Sequence, residues 1–157
     1  MSTLIKEAGS MENIISQNSS LYARLLLGTA RHAMLNARQK ELAPLHISPR
    51  QAYILFILAN LGHKATLTEL ATRCDRGLNT LSIQMAKMEK DGLVKKSREV
   101  PKSTLLNFEL TDKGREVFKK SSEQKADRAI MSVLSEDERQ QLISMLQKII
   151  VKSNDYR

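Results

Sequence analysis

The sequence predicts a mainly α-helical fold with one small β-hairpin. Two observations predict it: apolar residues recur at helical spacing over most of the 157-residue chain, and two short β-type segments lie together near its centre. Residues that favour helix starts and helix ends divide the helical part into separate elements. The expected order of elements is α-α-α-α-β-β-α-α.

Composition indicates one globular domain with a polyanionic partner. Hydrophobic residues make up 41% of the chain and charged residues 27%, while aromatic residues are limited to three Tyr and three Phe. The formal net charge of +8 and the pI of about 9.7 favour nucleic acid or an anionic membrane surface. No apolar stretch is long enough to span a membrane, and the first ten residues do not resemble a signal peptide, so we expect a cytoplasmic protein.

Residues that start and stop helices define the N-terminal elements. The first predicted helix runs over 11–42 and ends before Pro44. At ~30 residues it would reach ~45 Å, which is longer than a small domain is wide, so part of its apolar face is expected to contact something outside its own globule. Ser48 and Gln51 then form a capping box, and the apolar run 52–59 that follows predicts a helix buried on every side.

Shorter predicted elements follow in the centre of the chain. A short helix starts at Thr68, and a turn over 74–77 connects it to a helix over 78–91. Two β-type segments over 93–98 and 105–110 then flank a hairpin tip over 99–103. Two short helices joined by a tight turn and followed at once by a hairpin predict a winged helix-turn-helix. One helix of such a unit fits the major groove of duplex DNA, and the hairpin, or wing, reaches the backbone or the neighbouring minor groove.

The helix over 78–91 has the side-chain distribution that groove recognition requires. Its expected buried arc consists of Leu78, Leu81, Met85 and Met88, and its opposite arc carries Asn79, Thr80, Ser82, Ile83, Ala86, Lys87 and Lys90. Asn can form two hydrogen bonds with adenine, Thr and Ser can bond bases or phosphates, and Ile can contact only an apolar group such as a thymine methyl. An ordinary amphipathic surface helix is the alternative, and the adjacent hairpin favours DNA contact over it.

Basic residues cluster on the predicted hairpin. The cations on or beside the hairpin are Lys95, Lys96, Arg98 and Lys102, and the one acidic residue set against them is Glu99. Such residues on exposed strands often serve only to protect the sheet edge, but here they coincide with the expected docking face, which favours phosphate contacts. The predicted DNA-binding set is Thr68, Asn79, Thr80, Ser82, Ile83, Lys87, Arg98, Lys102 and Ser103.

Two helices complete the prediction. Thr111 is expected to cap a helix that reaches about Leu134, and Ser135 and Glu138 form a capping box for a last helix that ends near Lys152. Both helices follow the hairpin directly, with no linker-like tract between them. The whole chain is therefore expected to form a single domain.

Four short motifs resemble the pattern of MarR-family regulators. They are LTELA at 67–71, MEKDGLV at 88–94, LTDKG at 110–114 and LSEDER at 134–139. Each motif is weak alone, but their order and spacing together are specific. The similarity extends from the first helix, through Pro44 and the segment 47–49, almost to the C-terminus.

The resemblance implies a homodimer bound to double-stranded DNA. It implies one domain over 1–157, in which the helices over 11–42 and 111–152 form the dimer interface and 48–110 forms the DNA-binding lobe. Each subunit of a MarR-like dimer offers a recognition helix and a wing to a near-palindromic operator. Many members repress nearby genes until a small aromatic effector binds, and on that resemblance Tyr22, Arg24, Tyr53 and Phe56 are candidate effector-pocket residues.

Three departures from the family pattern affect the site. The wing tip of the family carries an Arg where this chain has Lys102 and its neighbours Ser103 and Thr104, and Lys102 is expected to substitute less well because it lacks the planar guanidinium group. The turn has Asp75 and Arg76 where the family has Gly and an apolar residue, and we expect Gly77 to supply the backbone freedom of a shifted turn. Gln84 replaces a usual apolar residue.

The sequence predicts a protein that is not an enzyme and holds no cofactor or metal. It contains no nucleophile elbow, no phosphate-binding Gly-rich loop and no HExxH motif. His32, His46 and His63 are far apart in the sequence, which argues against a metal site. Cys74 is the only cysteine, so no internal disulfide can form, and it falls where the family has an apolar core residue, which favours packing over a redox-sensor role.

Three functions fit these patterns. The first is a ligand-responsive repressor that binds a specific operator as a homodimer. The second is a non-specific architectural DNA-binding protein, which would need the same charge but no base contacts. The third is a winged helix used for protein–protein contact with an acidic partner.

Overall fold

A computed structural model describes residues 18–62, 64–98 and 106–156, and within them it has the predicted architecture. The fold is mainly helical with a small three-stranded antiparallel sheet, which is the arrangement of a winged helix. The chain divides into two compact units, residues 1–37 and residues 38–157.

The first unit consists, in its described part, of most of helix α1 (Ser19–Leu42). The helix begins after Asn18, whose Oδ1 accepts a hydrogen bond from the Leu21 N–H at 2.9 Å. Several of its large apolar side chains are between one third and one half exposed, namely Leu21, Leu25, Leu26, Leu27 and Leu35. The start predicted over 11–17 lies outside the described residues.

The second unit begins with the last turn of α1 and holds the remaining elements. Its further helices are α2 (Pro49–Asn60), α3 (Leu67–Cys74), α4 (Leu78–Lys90), α5 (Asp112–Ser121), α6 (Lys125–Met131) and α7 (Glu136–Ser153). Short 3₁₀ turns occupy Ala43–Leu45 and Asn154–Tyr156. Its strands are β1 (Ala65–Thr66), β2 (Val94–Ser97) and β3 (Asn107–Leu110).

Local capping determines where most of these helices begin. Both predicted capping boxes are formed: the Ser48 and Gln51 side chains bond each other's backbone N–H at the start of α2, and Ser135 and Glu138 do so at the start of α7. Thr111 caps α5 as predicted. The start predicted for α3 at Thr68 was wrong by one residue: the helix begins at Leu67, because Thr66 Oγ1 accepts the Glu69 N–H and acts as the cap.

The sheet has the strand order β1-β3-β2, with both pairs antiparallel. Val94 faces Leu110, Lys95 faces Glu109, and Lys96 faces Phe108 across the hairpin. On the other side of β3, Ala65 faces Phe108. Strand β1 was absent from the predicted element order because two residues carry no periodicity signal.

The hydrophobic core of the second unit lies between α2, α3, α4 and one face of the sheet. Its fully buried large side chains are Leu42, Ile54, Leu55, Leu70, Leu81, Met85, Met88 and Val94. The expectation that α2 is buried on every side was wrong, because Tyr53 and Phe56 are 50% and 45% exposed. Leu78 is also 48% exposed, contrary to its predicted place on the buried arc of α4.

The predicted helix from Thr111 to about Leu134 is interrupted. It ends at Ser121, and a new helix starts at Lys125 after Gln124, which has a left-handed backbone with φ of 50°. The reason is a contact with the end of α1. The Arg38 guanidinium bonds the Ser121 carbonyl oxygen, and the Glu41 carboxylate accepts the Lys125 and Ala126 N–H groups at 2.9 and 3.1 Å.

Candidate nucleic-acid interface

Helix α4 has one buried apolar face and one exposed polar face. Leu81, Met85 and Met88 are at most 1% exposed, so the orientation of the helix on the core is fixed by close packing. The opposite face carries the predicted recognition residues, all exposed: Asn79, Thr80, Ser82, Ile83, Ala86, Lys87 and Lys90. Ile83 lies on the same face and is 75% exposed.

The turn before α4 is shaped by Asp75. Its φ of 50° is left-handed, and its N–H bonds the Ala71 and Thr72 carbonyl oxygens at the end of α3. Gly77 has a φ of −63° and precedes the first residue of α4. The expectation that Gly77 supplies the backbone freedom of this turn was therefore wrong, since Asp75 adopts the left-handed conformation instead.

The far end of α4 is held by the first turn of α5. The Thr111 hydroxyl donates to the Gly92 carbonyl oxygen at 2.6 Å and accepts the Gly114 N–H at 3.0 Å. Lys113 Nζ donates to the Asp91 carbonyl oxygen at 2.7 Å. These bonds satisfy carbonyl groups that the end of α4 leaves unpaired, and they connect the LTDKG and MEKDGLV motifs physically.

The lysines of the wing are paired with carboxylates. Lys96 Nζ lies 2.9 Å from Glu89 on α4, and Lys95 Nζ lies 3.5 Å from Glu109 on β3. Glu99 was the only carboxylate predicted beside the wing cations; Glu89 and Glu109 were not predicted there, because which strand residues face each other depends on register. Arg98 is exposed at the end of β2.

The structure places most of the predicted DNA-binding residues in one contiguous helix and its flanks. Thr68 is exposed on α3, the helix that packs against α4, and the recognition residues follow on α4 itself. Lys102 and Ser103, predicted at the wing tip, lie outside the described residues, as does Glu99. Lys64 was not predicted, although its Nζ lies 3.2 Å from Glu109 and so joins the same group of charges.

Two of the four candidate effector residues share one face of α2. Tyr53 and Phe56 are one helical turn apart, and the Phe56 ring lies 6.5 Å from the Phe118 ring of α5. The Tyr53 hydroxyl donates to the Arg73 carbonyl oxygen at 3.4 Å. Tyr22, half-buried, and Arg24, exposed, lie on α1 in the first unit.

A groove of about 480 Å³ lies elsewhere, along the C-terminal part of α7. Its lining consists of Ser144, Gln147, Lys148, Val151, Lys152 and Asp155. None of the four candidate effector residues borders this groove. It gives no support to the predicted effector pocket.

The remaining predicted features can be located on the structure. Cys74 packs partly buried against the core, and burial raises the pKa of its thiol despite the nearby Arg76 charge. Within 18–62, 64–98 and 106–156 no group of His, Cys, Asp and Glu side chains is arranged to hold a metal ion. In the same ranges, every helix is too short or too polar to cross a lipid bilayer.

Comparison with known proteins identifies structural relatives. No protein-family model matches the chain, and no curated protein matches it in sequence. The organohalide-sensing transcriptional regulator RdhR, bound to 2,4-dichlorophenol, is similar with a TM-score of 0.79 and 25% identity over 84% of this chain and 79% of that chain. AbsC, a MarR-family transcriptional regulator from Streptomyces coelicolor, has a TM-score of 0.79 and 20% identity over 88% of this chain and 96% of its own.

A third relative is a DNA complex. The transcriptional repressor CouR, bound to a 23-mer DNA duplex, has a TM-score of 0.73 and 25% identity over 80% of this chain and 89% of that chain. These three relatives are transcriptional regulators. The chain thus has the winged-helix fold of these regulators, among them the MarR-family regulator AbsC.

Proposed function

We propose that this protein acts as a homodimeric repressor that binds a near-palindromic operator and is released by a small aromatic effector. The observation that carries the DNA-binding part is the exposed face of α4, where polar side chains and the 75%-exposed Ile83 stand on a helix whose other face is fully buried. A helix held in this way can enter the major groove without rearranging the core. The DNA-bound relative CouR supports this mode of binding.

Within the proposed interface, side-chain chemistry divides the residues into two groups. Asn79, Thr80 and Ser82 would bond base edges, and Ile83 would contact a thymine methyl. Phosphate contacts would come from Thr68, Lys87 and Arg98, together with Lys102 and Ser103 of the wing tip. Phosphate contacts set the position of the protein on the duplex, whereas base contacts select the sequence.

The proposed dimer uses the helices at the two ends of the chain. Helix α7 has no buried residue and exposes large apolar side chains that are costly to leave in water: Ile143, Met145, Ile149, Ile150 and Val151. The described part of α1 exposes a leucine-rich surface as well. Burial of both surfaces against a second copy would explain why the described residues of one chain leave both exposed.

The proposed effector is a small aromatic compound. Tyr53 and Phe56 provide an aromatic surface on α2, and Phe118 lies beside it. The relative RdhR was captured with 2,4-dichlorophenol, which supports a phenolic ligand for this chain. Tyr22 and Arg24 are the other two candidate effector-pocket residues. Tyr53→Ala is expected to abolish ligand-dependent release while leaving operator binding intact.

A footprint on the intergenic DNA beside the gene tests the proposal. We expect a bounded, two-fold symmetric footprint that weakens steeply with salt. Asn79→Ala should cost about 1–3 kcal/mol on the operator and relax base preference at one position, whereas Lys87→Ala should weaken binding to every duplex and reduce the salt slope by about one unit. Lys119→Ala on α5 is the matched control and should leave the footprint unchanged.

The same experiment separates the two alternative functions. Diffuse protection of every fragment, with equal affinity for unrelated duplexes, would indicate a non-specific architectural protein. Absence of affinity for any duplex at low salt would favour a winged helix that contacts an acidic protein. A series of phenols, added to the footprinting reaction, tests release by an effector.

A further inference from the structure

Three charged side chains form a row across the outer face of the sheet. Glu109 lies on the central strand β3, with Lys95 opposite on β2 and Lys64 immediately before β1 on the other side. Lys64 Nζ is 3.2 Å and Lys95 Nζ is 3.5 Å from the same oxygen, Oε1 of Glu109. Two ammonium groups therefore share one carboxylate, and the row keeps a net charge of +1.

The row is accessible to solvent and faces away from the core. The side chains of Lys64, Lys95 and Glu109 are 48%, 59% and 29% exposed. Residues adjacent to them along the strands point to the opposite face of the sheet, where Val94, Phe108 and Leu110 are buried. Lys64 Nζ also lies 3.4 Å from the hydroxyl of Ser97, two residues nearer the wing tip than Lys95.

The electrostatics of Glu109 differ from those of Glu89, the carboxylate of α4 that pairs with the wing. The hydrogen bond from Lys64, with a further contribution from Lys95, holds the pKa of Glu109 below its ordinary value, so it stays ionised near neutral pH. Glu89 pairs with a single lysine, Lys96, which gives no net charge. Unlike the Glu89–Lys96 pair, the row around Glu109 thus combines an excess positive charge with two ammonium groups converging on one oxyanion.

We propose that this row is a contact site for a DNA backbone phosphate, in which the Glu109 carboxylate occupies the place of the phosphate and lowers affinity for every duplex. This inference rests on the proposed DNA-binding function and adds Lys64 and Glu109 to the interface. A carboxylate and a phosphate oxygen accept the same ammonium donors, so DNA binding exchanges one oxyanion for the other. Exposed lysine–carboxylate pairs are weak enough to exchange in this way.

The row carries no base-reading group. Lysine contacts a phosphate as a point charge, and phosphate contacts carry no sequence information. Glu109 is therefore an affinity-limiting residue rather than a sequence-reading one. Its removal should strengthen binding to operator and unrelated DNA by similar factors.

The test is the isosteric variant Glu109→Gln, measured on the operator and on an unrelated duplex over a series of salt concentrations. We expect Kd to fall about threefold to tenfold on both duplexes at low salt, and the slope of log K against log salt to steepen by about one unit. Glu116→Gln is the matched control: it removes the same charge from an exposed pair with Lys120 on α5, and its Kd should equal that of the wild type.

A double-mutant cycle identifies the cations involved. Lys64→Met should weaken binding more in the Glu109→Gln background than in the wild type, because only the freed lysine makes a full phosphate contact. If wild-type protein footprints the operator while Glu109→Gln and Glu116→Gln bind equally, the inference is wrong and the proposed function stands. If the wild type binds no duplex even at low salt, the proposed function fails and this inference fails with it.

Discussion

Gly114 occupies a position where a side chain cannot fit. A Cβ built on it would lie 2.0 Å from the Leu93 carbonyl oxygen and 3.4 Å from Thr111 Oγ1. Its backbone is not in the left-handed region, so the requirement for glycine comes from the close approach of α5 to the end of α4 rather than from φ. This contact explains why the LTDKG motif ends in glycine.

Gly114→Ala should lower the free energy of unfolding by about 1–3 kcal/mol, because a backbone carbonyl cannot move aside cheaply. Gly28→Ala on α1 is the matched control, since nothing lies within 4 Å of its added Cβ, and the change should stabilise the helix by about 0.5–1 kcal/mol. Urea denaturation of both variants measures the difference. Equal changes in the free energy of unfolding for the two substitutions would contradict the close approach of Gly114 to the Leu93 carbonyl oxygen.

Glu41 connects the end of α1 to the start of α6. Burial raises the pKa of Glu41, but hydrogen bonds from Arg38 and from the Ala126 and Lys125 N–H groups outweigh it, and the net shift is downward. A carboxyl whose folded pKa is depressed contributes stability above its unfolded pKa, and that contribution is lost as the pH falls through the folded pKa. The contact is therefore expected to weaken in acid.

Glu41→Gln should lower the free energy of unfolding by about 1–3 kcal/mol at neutral pH, since a charged acceptor of three donors is lost. The gap between variant and wild type should begin to shrink below the unfolded pKa of about 4.3 and close once the pH falls below the lowered folded pKa, where the carboxyl is protonated in both states. Glu116→Gln, whose partner Lys120 is exposed, should change stability by less than about 0.5 kcal/mol. A gap that does not depend on pH would disprove the role assigned to the ionised carboxylate.

At the scale of elements, the break between α5 and α6 is the main feature that local sequence did not predict. The segment around Ser121 to Lys125 contains no proline or glycine, and its residues are acceptable in a helix. At the break, Arg38 bonds the Ser121 carbonyl oxygen and Glu41 accepts the Lys125 and Ala126 N–H groups, which the ends of two separate helices leave without intrahelical partners. Gln124 adopts the left-handed conformation that the break requires.

Gln124→Gly should leave the free energy of unfolding unchanged or raise it by up to about 1 kcal/mol, because glycine adopts a positive φ without a steric penalty. The same replacement at Gln140, inside α7, should lower it by about 1 kcal/mol, since glycine is unfavourable in a helix interior. Thermal and urea unfolding of the two variants measure the sign of the change in the free energy of unfolding. Destabilisation of similar size at both positions would argue for a continuous helix across Gln124.

At the scale of the whole molecule, the exposed apolar side chains of α7 bear on the proposed dimer. They remain uncovered by the described residues although α7 has 18 residues and a capping box at its start, and the proposed dimer would bury them. Ile143 and Ile150 lie two turns apart on the same side of α7 and are 47% and 61% exposed. They mark the centre of the proposed dimer surface.

Ile150→Glu should convert the proposed dimer into a monomer and reduce operator affinity by at least tenfold, because a buried charge would replace an apolar contact and the two recognition helices would no longer be linked. Gln141→Glu on the same helix adds the same charge and should leave the dimer intact. Sedimentation equilibrium measures the mass of each variant. A wild-type monomer at micromolar concentration would contradict the dimer at once.

The fold and much of the candidate site could be predicted from local sequence. Ser48 with Gln51, and Ser135 with Glu138, interact over three residues, so their caps depend little on the rest of the chain. The buried face of α4 followed from helical periodicity at Leu81, Met85 and Met88, and only the first residue of that arc, Leu78, was misassigned. Leu78 is the first residue of α4, and because helix ends fray and lie at the edge of the core, helical periodicity does not predict their burial.

What the sequence by itself determined is most of the helices, the two strands of the hairpin and the exposed polar face of α4, because these depend on residues within one or two turns of each other. Only the tertiary structure decided the break after Ser121, the tight fit at Gly114 and the sharing of Glu109 by Lys64 and Lys95. Each of these contacts joins residues that are more than a dozen positions apart. Their partners are chosen by packing and strand register, which exist only once the chain has folded.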